Sequence, residues 1–250
     1  MLGAQETEME HPLVHSKSNP EGLGIACRAS QAGPEREFLD EFLGRFRIRV
    51  PQGHRVTLFQ EPRIESGYPD LVAVVWRATT TEKWHPVRMQ LLPHDLRLLH
   101  LLVTMGPYRK DEIASLLGRR SGDSLERLEA AQMVRIRGHI IHARALSKLY
   151  AVRHIFAIEA KVQEWQSALE QASLNRWFAT SSYILLPRVP RGSVVLAQAE
   201  SMGVGVWSMA DTQFDARCLT VCSRPVSYAS WLFNEWAWRA ENSSPGSHRC

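Results

Sequence analysis

The chain has 250 residues, 44% hydrophobic and 22% charged, with a formal net charge of +4 at pH 7. That composition can bury a sizeable core and excludes a disordered or collagen-like chain. No apolar run approaches the ~18 residues of a membrane-spanning helix, and the polar, acidic start (Glu6, Glu8, Glu10) is unlike a signal peptide, so a cytoplasmic protein with no membrane partner is expected.

Residues 1–34 carry Pro, Gly, Ser and Gln without apolar periodicity and are expected to form a tail. After Pro34 the spacing of Phe38, Leu39, Phe42, Leu43 and Phe46 predicts a helix with one apolar stripe, limited by Gly44 and Pro51. Val56-Thr57-Leu58-Phe59 reads as a strand. Gly67 breaks the chain before Tyr68-Pro69-Asp70, which opens a second apolar run from Leu71 to Trp76. The turn-rich Thr79-Thr80-Thr81 and the alternation from Val87 to Leu91 read as a hairpin.

The stretch 93–146 has a different pattern. Leu96, Leu98, Leu99, Leu101, Leu102 and Val103 predict an apolar first helix ended by Gly106-Pro107. Lys110–Leu117 predicts a second, with Ile113, Leu116 and Leu117 inward and Gly118 as its stop. A third runs from Asp123 to Gln132 with Leu125 and Leu128 inward. Val134–Arg137 and His139–His142 then alternate as a hairpin across Gly138, which puts His139 and His142 on opposite faces. Residues 105–150 hold nine Lys/Arg and five Asp/Glu, which accounts for the whole net excess and points to a polyanion.

The chain resumes with Ile155–Ile158, Glu159-Ala160-Lys161, and a helix from Val162 to about Phe178 whose apolar face is Val162, Trp165, Leu169 and Ala172. A strand Tyr183–Leu186, a helix over 192–202 capped at Gly203, strands Val204–Ser208 and Leu219–Cys222, and a Trp-rich closing helix Ser227–Ala240 complete a mixed α/β pattern. Trp231, Trp236 and Trp238 are expected in the core. Cys27, Cys218, Cys222 and Cys250 have no zinc-ligand spacing and read as buried free thiols of a reducing compartment.

Two resemblances follow from these residues. Three helices and a basic hairpin resemble a winged helix-turn-helix domain, with Glu112-Ile113-Ala114-x-x-Leu117-Gly118 similar to its second helix and turn and Leu125-x-x-Leu128-x-x-x-x-Met133-Val134 to its recognition helix and wing. The resemblance implies DNA contact by Arg119, Arg120 and Arg127 on the helix side and by Arg135 and Arg137 on the wing. Such domains also dock proteins, and Glu126 and Glu129 on the third helix suit that role.

Eighty-eight residues, Leu71 to Ile158, separate the Pro-Asp from the Glu-x-Lys, too many for a connection inside one sheet. With 93–146 set aside as an insert, Pro69-Asp70 and Glu159-x-Lys161 resemble the PD-(D/E)xK, or restriction-endonuclease-like, nuclease superfamily over roughly 36–92 and 147–240. The implied fold is a mixed sheet flanked by helices. The domain boundaries expected are a tail over 1–34, a discontinuous nuclease-like domain over 35–92 and 147–242, the insert over 93–146, and a second tail over 243–250. Asp70, Glu159 and the Ala160 carbonyl would hold Mg²⁺ or Mn²⁺, hard cations that take oxygen ligands, and Lys161 would orient the attacking water. The resemblance also suggests an acid on the first helix, Glu41 or Glu37, with Glu65 in competition. Gln171 stands where one branch carries Gln-x-x-x-Tyr, although position 175 is Asn here. The function implied is a metal-dependent DNA endonuclease, for which a homodimer would suit double-strand cutting. The alternatives are a DNA-binding or regulatory protein that uses the nuclease fold as a scaffold, and a protein-interaction module. Locally, Asp70 also suits a plain strand start, and Glu159 with Lys161 an exposed cross-strand pair.

Overall fold

A computed structural model describes residues 9–10, 13–15, 25–28, 32–118, 121–189, 194–216 and 224–243. The expected strand at 219–222, Arg119, Arg120, Cys218, Cys222 and Cys250 lie outside these residues. The chain divides into two compact units, one holding Ile25–Trp76 and Arg153–Cys222 with the strands before them, the other Arg77–Val152 and Ser223–Cys250. The division falls after Trp76 and Val152, not at 92 and 146. The closing helix groups with the inserted residues, not with the sheet. Among the described residues, no helix is long and apolar enough to cross a membrane.

The first unit is built on a mixed six-stranded sheet. Its order is Gly205–Ser208, Ser181–Leu186, Val152–Ala160, Leu71–Arg77, His54–Gln60, Leu13–His15. The first three strands pair in parallel, as do the last two. Leu71–Arg77 sits at the centre and is buried at every position but its last, which is why it reads as a continuous apolar run. Alternation sends Leu71, Ala73, Val75, Phe156, Ile158 and Ala160 to the face covered by Phe38, Leu39 and Phe42 of helix Pro34–Arg45. Ile184 and Leu186 pack the other face against Ala168, Leu169 and Ala172 of helix Trp165–Asn175 and Val195 and Ala199 of helix Val194–Ser201. Val162 lies exposed ahead of its helix. At one edge Tyr183 lies beside Gly205, where a Cβ would come within 2.3 Å of its ring, so only glycine fits.

Short elements escaped the sequence. Arg47–Arg49 pairs with Met9–Glu10 on one side and Gln213–Asp215 on the other. With Leu13–His15 in the main sheet, part of the expected tail is strand. Two- and three-residue strands carry too little period to be read.

The second unit contains helices Pro93–Met105, Lys110–Leu117 and Ser121–Ala130, then strands Val134–Arg137 and Ile140–Ala143, with Tyr108–Arg109 as a third strand against Ile140–Ala143. Leu96, Leu98, Leu99, Leu102, Ile113, Leu125 and Leu128 are buried. Leu116 and Leu117 are exposed, contrary to expectation, because the two-turn helix turns only Ile113 inward. The expected hairpin at 79–91 is a helical turn Ala78–Thr81 and a 3₁₀ helix Pro86–Gln90. Pro86 suits a first helical turn, and His85 Nδ1 caps it by accepting from the Val87 N–H at 3.3 Å.

The closing helix Tyr228–Ser243 belongs here because of a buried polar network. The Arg88 guanidinium, almost fully buried, donates to both carboxylate oxygens of Glu235 and to the Leu149 carbonyl. It lies 3.3 Å from the centroid of the Trp84 ring. Arg239 donates to the Arg88 and Leu91 carbonyls, and Asn234 bridges Glu235 to the Leu149 carbonyl. Trp231, Trp236 and Trp238 are buried around it, as expected of a core cluster.

Candidate active site

Asp70 immediately precedes the central strand, and Glu159-Ala160 end its neighbour. The Ala160 N–H donates to Asp70 Oδ2 at 2.8 Å. The next amide, Lys161 N–H, turns the other way and donates to the Leu185 carbonyl at 3.0 Å. In extended backbone a residue's N–H and C=O leave on the same edge, so the Ala160 carbonyl also faces the Asp70 side. Glu159 is 4% exposed, so it is not half of an exposed pair. It accepts from Asn175 Nδ2 at 2.6 Å and is hydrogen-bonded to the Asp70 carboxyl.

Two carboxyls in contact and out of water cannot both ionise freely. Burial, then the Asp70 charge, pushes Glu159 well above the usual carboxylate range, and the Asn175 hydrogen bond offsets only part of this. Burial also raises Asp70, opposed by the Ala160 amide and the Lys161 charge. Both carboxyls are thus raised, Glu159 more strongly because it is the more deeply buried.

Lys161 Nζ lies 2.9 Å from Glu35 Oε2. Burial lowers its pKa, but the Glu35 hydrogen bond and charge, with those of Asp70 and Glu159, outweigh it and leave the ammonium raised. Glu61 is buried, with Arg28 Nε 2.6 Å from its Oε2 and its own N–H donating to the Asp70 carbonyl at 3.1 Å. Its φ of 45° is a left-handed conformation that costs a non-glycine residue energy and concentrates at functional sites. Glu35, Glu61, Asp70, Ala160 and Arg28 line a polar pocket of about 190 Å³. Cys27, half-buried and free, has its thiol pushed up to about 11 by burial and then by the Glu61 charge, so it is an inert thiol at neutral pH.

Two expected members stand elsewhere. Glu41 is exposed and paired with Arg45 at 2.7 Å, one turn along its own helix. Phe38, Leu39 and Phe42 set the buried phase, which turns Glu41 to solvent and leaves Glu35, in the first turn, to reach the site. Glu37 and Glu65 are exposed. Gln171 is exposed because Ala168, Ala172 and Asn175 form the buried stripe of its helix, and it is Asn175 that meets Glu159. Glu35, Glu61, Arg28 and Asn175 were missed as site residues. The one available signal was Asn175, an amide on the apolar phase of its helix.

In the second unit, Arg127 is half-buried and paired, unlike the free cation expected of a phosphate contact. It donates from Nε and Nη2 to Asp95, both at 2.8 Å, and its Nη2 lies 2.7 Å from His94 Nε2. Asp95 is fully buried. Burial pushes its carboxyl up, but the Arg127, Leu92 and Ser124 hydrogen bonds outweigh this and hold it below the usual range. Arg135 and Arg137 are exposed on one face of their strand.

Among the described residues no group of three or more His, Cys, Asp and Glu is arranged to hold a metal ion. The donors a cation would meet are two carboxylates and one main-chain carbonyl. These are oxygen donors, which suit a hard divalent cation whose charge would offset the repulsion between the two carboxylates. Comparison with protein-family models, curated proteins and solved structures finds no match to this chain.

Proposed function

We propose that the chain is a metal-dependent phosphodiesterase acting on DNA, with a restriction-endonuclease-like first unit and a winged-helix second unit. The observation that carries this reading is the contact of Asp70 with Glu159, 89 positions apart, beside Lys161 at the end of one strand. Pairs of titratable groups whose environments drive their pKa values apart mark sites of chemistry more often than sites of stability.

Asp70, Glu159 and the Ala160 carbonyl would hold Mg²⁺ or Mn²⁺, which when bound supplies Lewis-acid stabilisation of the phosphate and lowers the pKa of its water. Asn175 fixes the Glu159 carboxyl, and the Ala160 amide fixes Asp70. Lys161 brings a positive charge to the mouth of the site, where it stabilises charge building on the phosphate oxygens. Glu35 holds that ammonium between turnovers.

Incubation of plasmid DNA with the protein in Mg²⁺ or Mn²⁺ tests the assignment. Asp70→Asn and Lys161→Ala should each lose about 10²–10³-fold in cleavage rate, the usual cost of one electrostatic group in a preorganised site. Equal cleavage by wild type and both variants would remove the catalytic assignment. A scaffold that binds DNA without cutting is the second reading, favoured by the engagement of Lys161 with Glu35. It predicts tight, salt-dependent binding with no metal uptake.

A further inference from the structure

The second unit holds a cleft of about 520 Å³ that the carboxylate site does not use. Helix Pro93–Met105 lines it with Leu102 and Val103. Leu146, at the start of helix Leu146–Leu149, and Pro225, ahead of the closing helix, add to the apolar lining. His142, Arg144 and Arg224 line the same cleft, and among the described residues none that lines it is Asp or Glu.

Arg144 sets this cleft apart from an ordinary surface hollow. Its main-chain N–H donates to the Met133 carbonyl at 2.9 Å, which fixes where the side chain starts. Its Nε is buried with no hydrogen-bond partner. Native folds leave few such donors without an acceptor, because water is lost and nothing replaces it. Arg88 in the same unit shows the contrast, since its Nε and Nη2 both donate to Glu235. The fold completes one guanidinium and leaves the other open beside an apolar wall.

We propose that this cleft binds a small amphipathic anion, an acidic head group on an apolar body. The Nε–H and one Nη–H of a guanidinium run parallel and match two oxygens of a carboxylate or a phosphate, so the head would supply the acceptor that Arg144 lacks. The body would lie on Leu102, Val103 and Leu146. An apolar lining with a few polar groups is the usual make-up of a small-molecule site, and it offers nothing to a sugar–phosphate strand. The inference stands apart from the nuclease reading and from DNA contact.

The test is isothermal titration calorimetry of the full chain with four probes. Sodium octanoate and octyl phosphate carry head and body, 1-octanol the body alone, and inorganic phosphate the head alone. Octanoate or octyl phosphate should bind at one site with a Kd below about 1 mM, the tighter of the two naming the head. Octanol and inorganic phosphate should bind at least about tenfold more weakly, and Arg144→Gln should cost the amphiphile about tenfold or more, the worth of a charge-assisted hydrogen bond. Val103→Trp, which fills the wall, should abolish binding. Arg137→Ala, exposed on the hairpin outside the cleft, should bind as wild type. Circular dichroism checks folding, and either cleft variant carries the test if the other fails to fold. Octanol as tight as octanoate, or amphiphile binding unchanged in a folded Arg144→Gln, overturns the anionic head. Inorganic phosphate as tight as octyl phosphate overturns the apolar body. No binding of either amphiphile, or equal loss in Arg137→Ala, overturns the site.

Discussion

Each unit buries a pair of ionisable side chains, and the two pairs are opposites. Arg88 and Glu235 carry unlike charges, and the Leu149 carbonyl accepts a further guanidinium hydrogen bond. Asp70 and Glu159 are like in charge type, and burial with their mutual repulsion raises the pKa of both. The first pair is locked by its complementarity and holds the closing helix to the short 3₁₀ helix Pro86–Gln90. The second is held by its neighbours at a cost, which a proton or, on the proposed function, a divalent cation would relieve. A buried polar contact is therefore a guide to function by its mismatch, not by its burial.

The largest expected effect breaks the complementary pair. Arg88→Ala leaves the Glu235 carboxylate buried and unpaired, and urea unfolding should show a loss of about 3–5 kcal/mol. A loss below about 1 kcal/mol would mean that water replaces the guanidinium and that the network is not what fixes the closing helix.

The like-charge pair should respond in the opposite direction. In Glu159→Gln, the side-chain carbonyl still accepts from Asn175 and the new amide can donate to Asp70, while the costly ionisation is gone. Without metal, its melting temperature at neutral pH should rise by about 2–4 °C, equivalent to about 1 kcal/mol in a chain of this size, with cleavage abolished. The sign follows from proton counts. Above the ordinary carboxylate range the unfolded chain has released these protons while the folded protein keeps one. Wild-type stability therefore falls as pH rises from that range through the raised Glu159 value. The variant should lose most of that slope, and Mg²⁺ should stabilise wild type but not the variant. Parallel pH profiles of the two proteins in EDTA would show that the pair is not the source.

The smallest effect sharpens the contrast at the rim. Lys161 and Glu35 are partly exposed, so Glu35→Gln should change stability by no more than about 0.5 kcal/mol. It should raise the cleavage rate a few-fold, because Lys161 loses a competing anion. A large stability loss with unchanged cleavage would recast Glu35 as a structural partner.

The strands that carry Asp70 and Glu159 were legible because each holds a continuous apolar run, six residues over Leu71–Trp76 and four over Ile155–Ile158. The same holds for the helices at 93–130, whose leucines repeat at helical spacing. The acid of the first helix was not legible. Glu35, Glu37 and Glu41 lie within two turns, and the choice among them depends on which direction the helix N-terminus faces relative to the sheet. Asn175 and Gln171 differ only by one turn, and the rotation of the packed helix separated them. Arg127 looked like a free cation because Asp95, its partner, is 32 positions away on another helix.

Period and polarity along the chain determined where the longer strands and helices lie and which face most of them bury, since these depend on neighbours in sequence. They also determined that an acid and a Glu-x-Lys begin and end strands. Only the tertiary structure decided that the two carboxyls touch and that Glu35 and Asn175 surround them. It alone decided that Arg127 is spent on Asp95 while Arg135 and Arg137 stay exposed. Those outcomes depend on distances between side chains far apart in sequence, and desolvation, which sets their charge states, exists only once the sheet and its covering helices have closed over them.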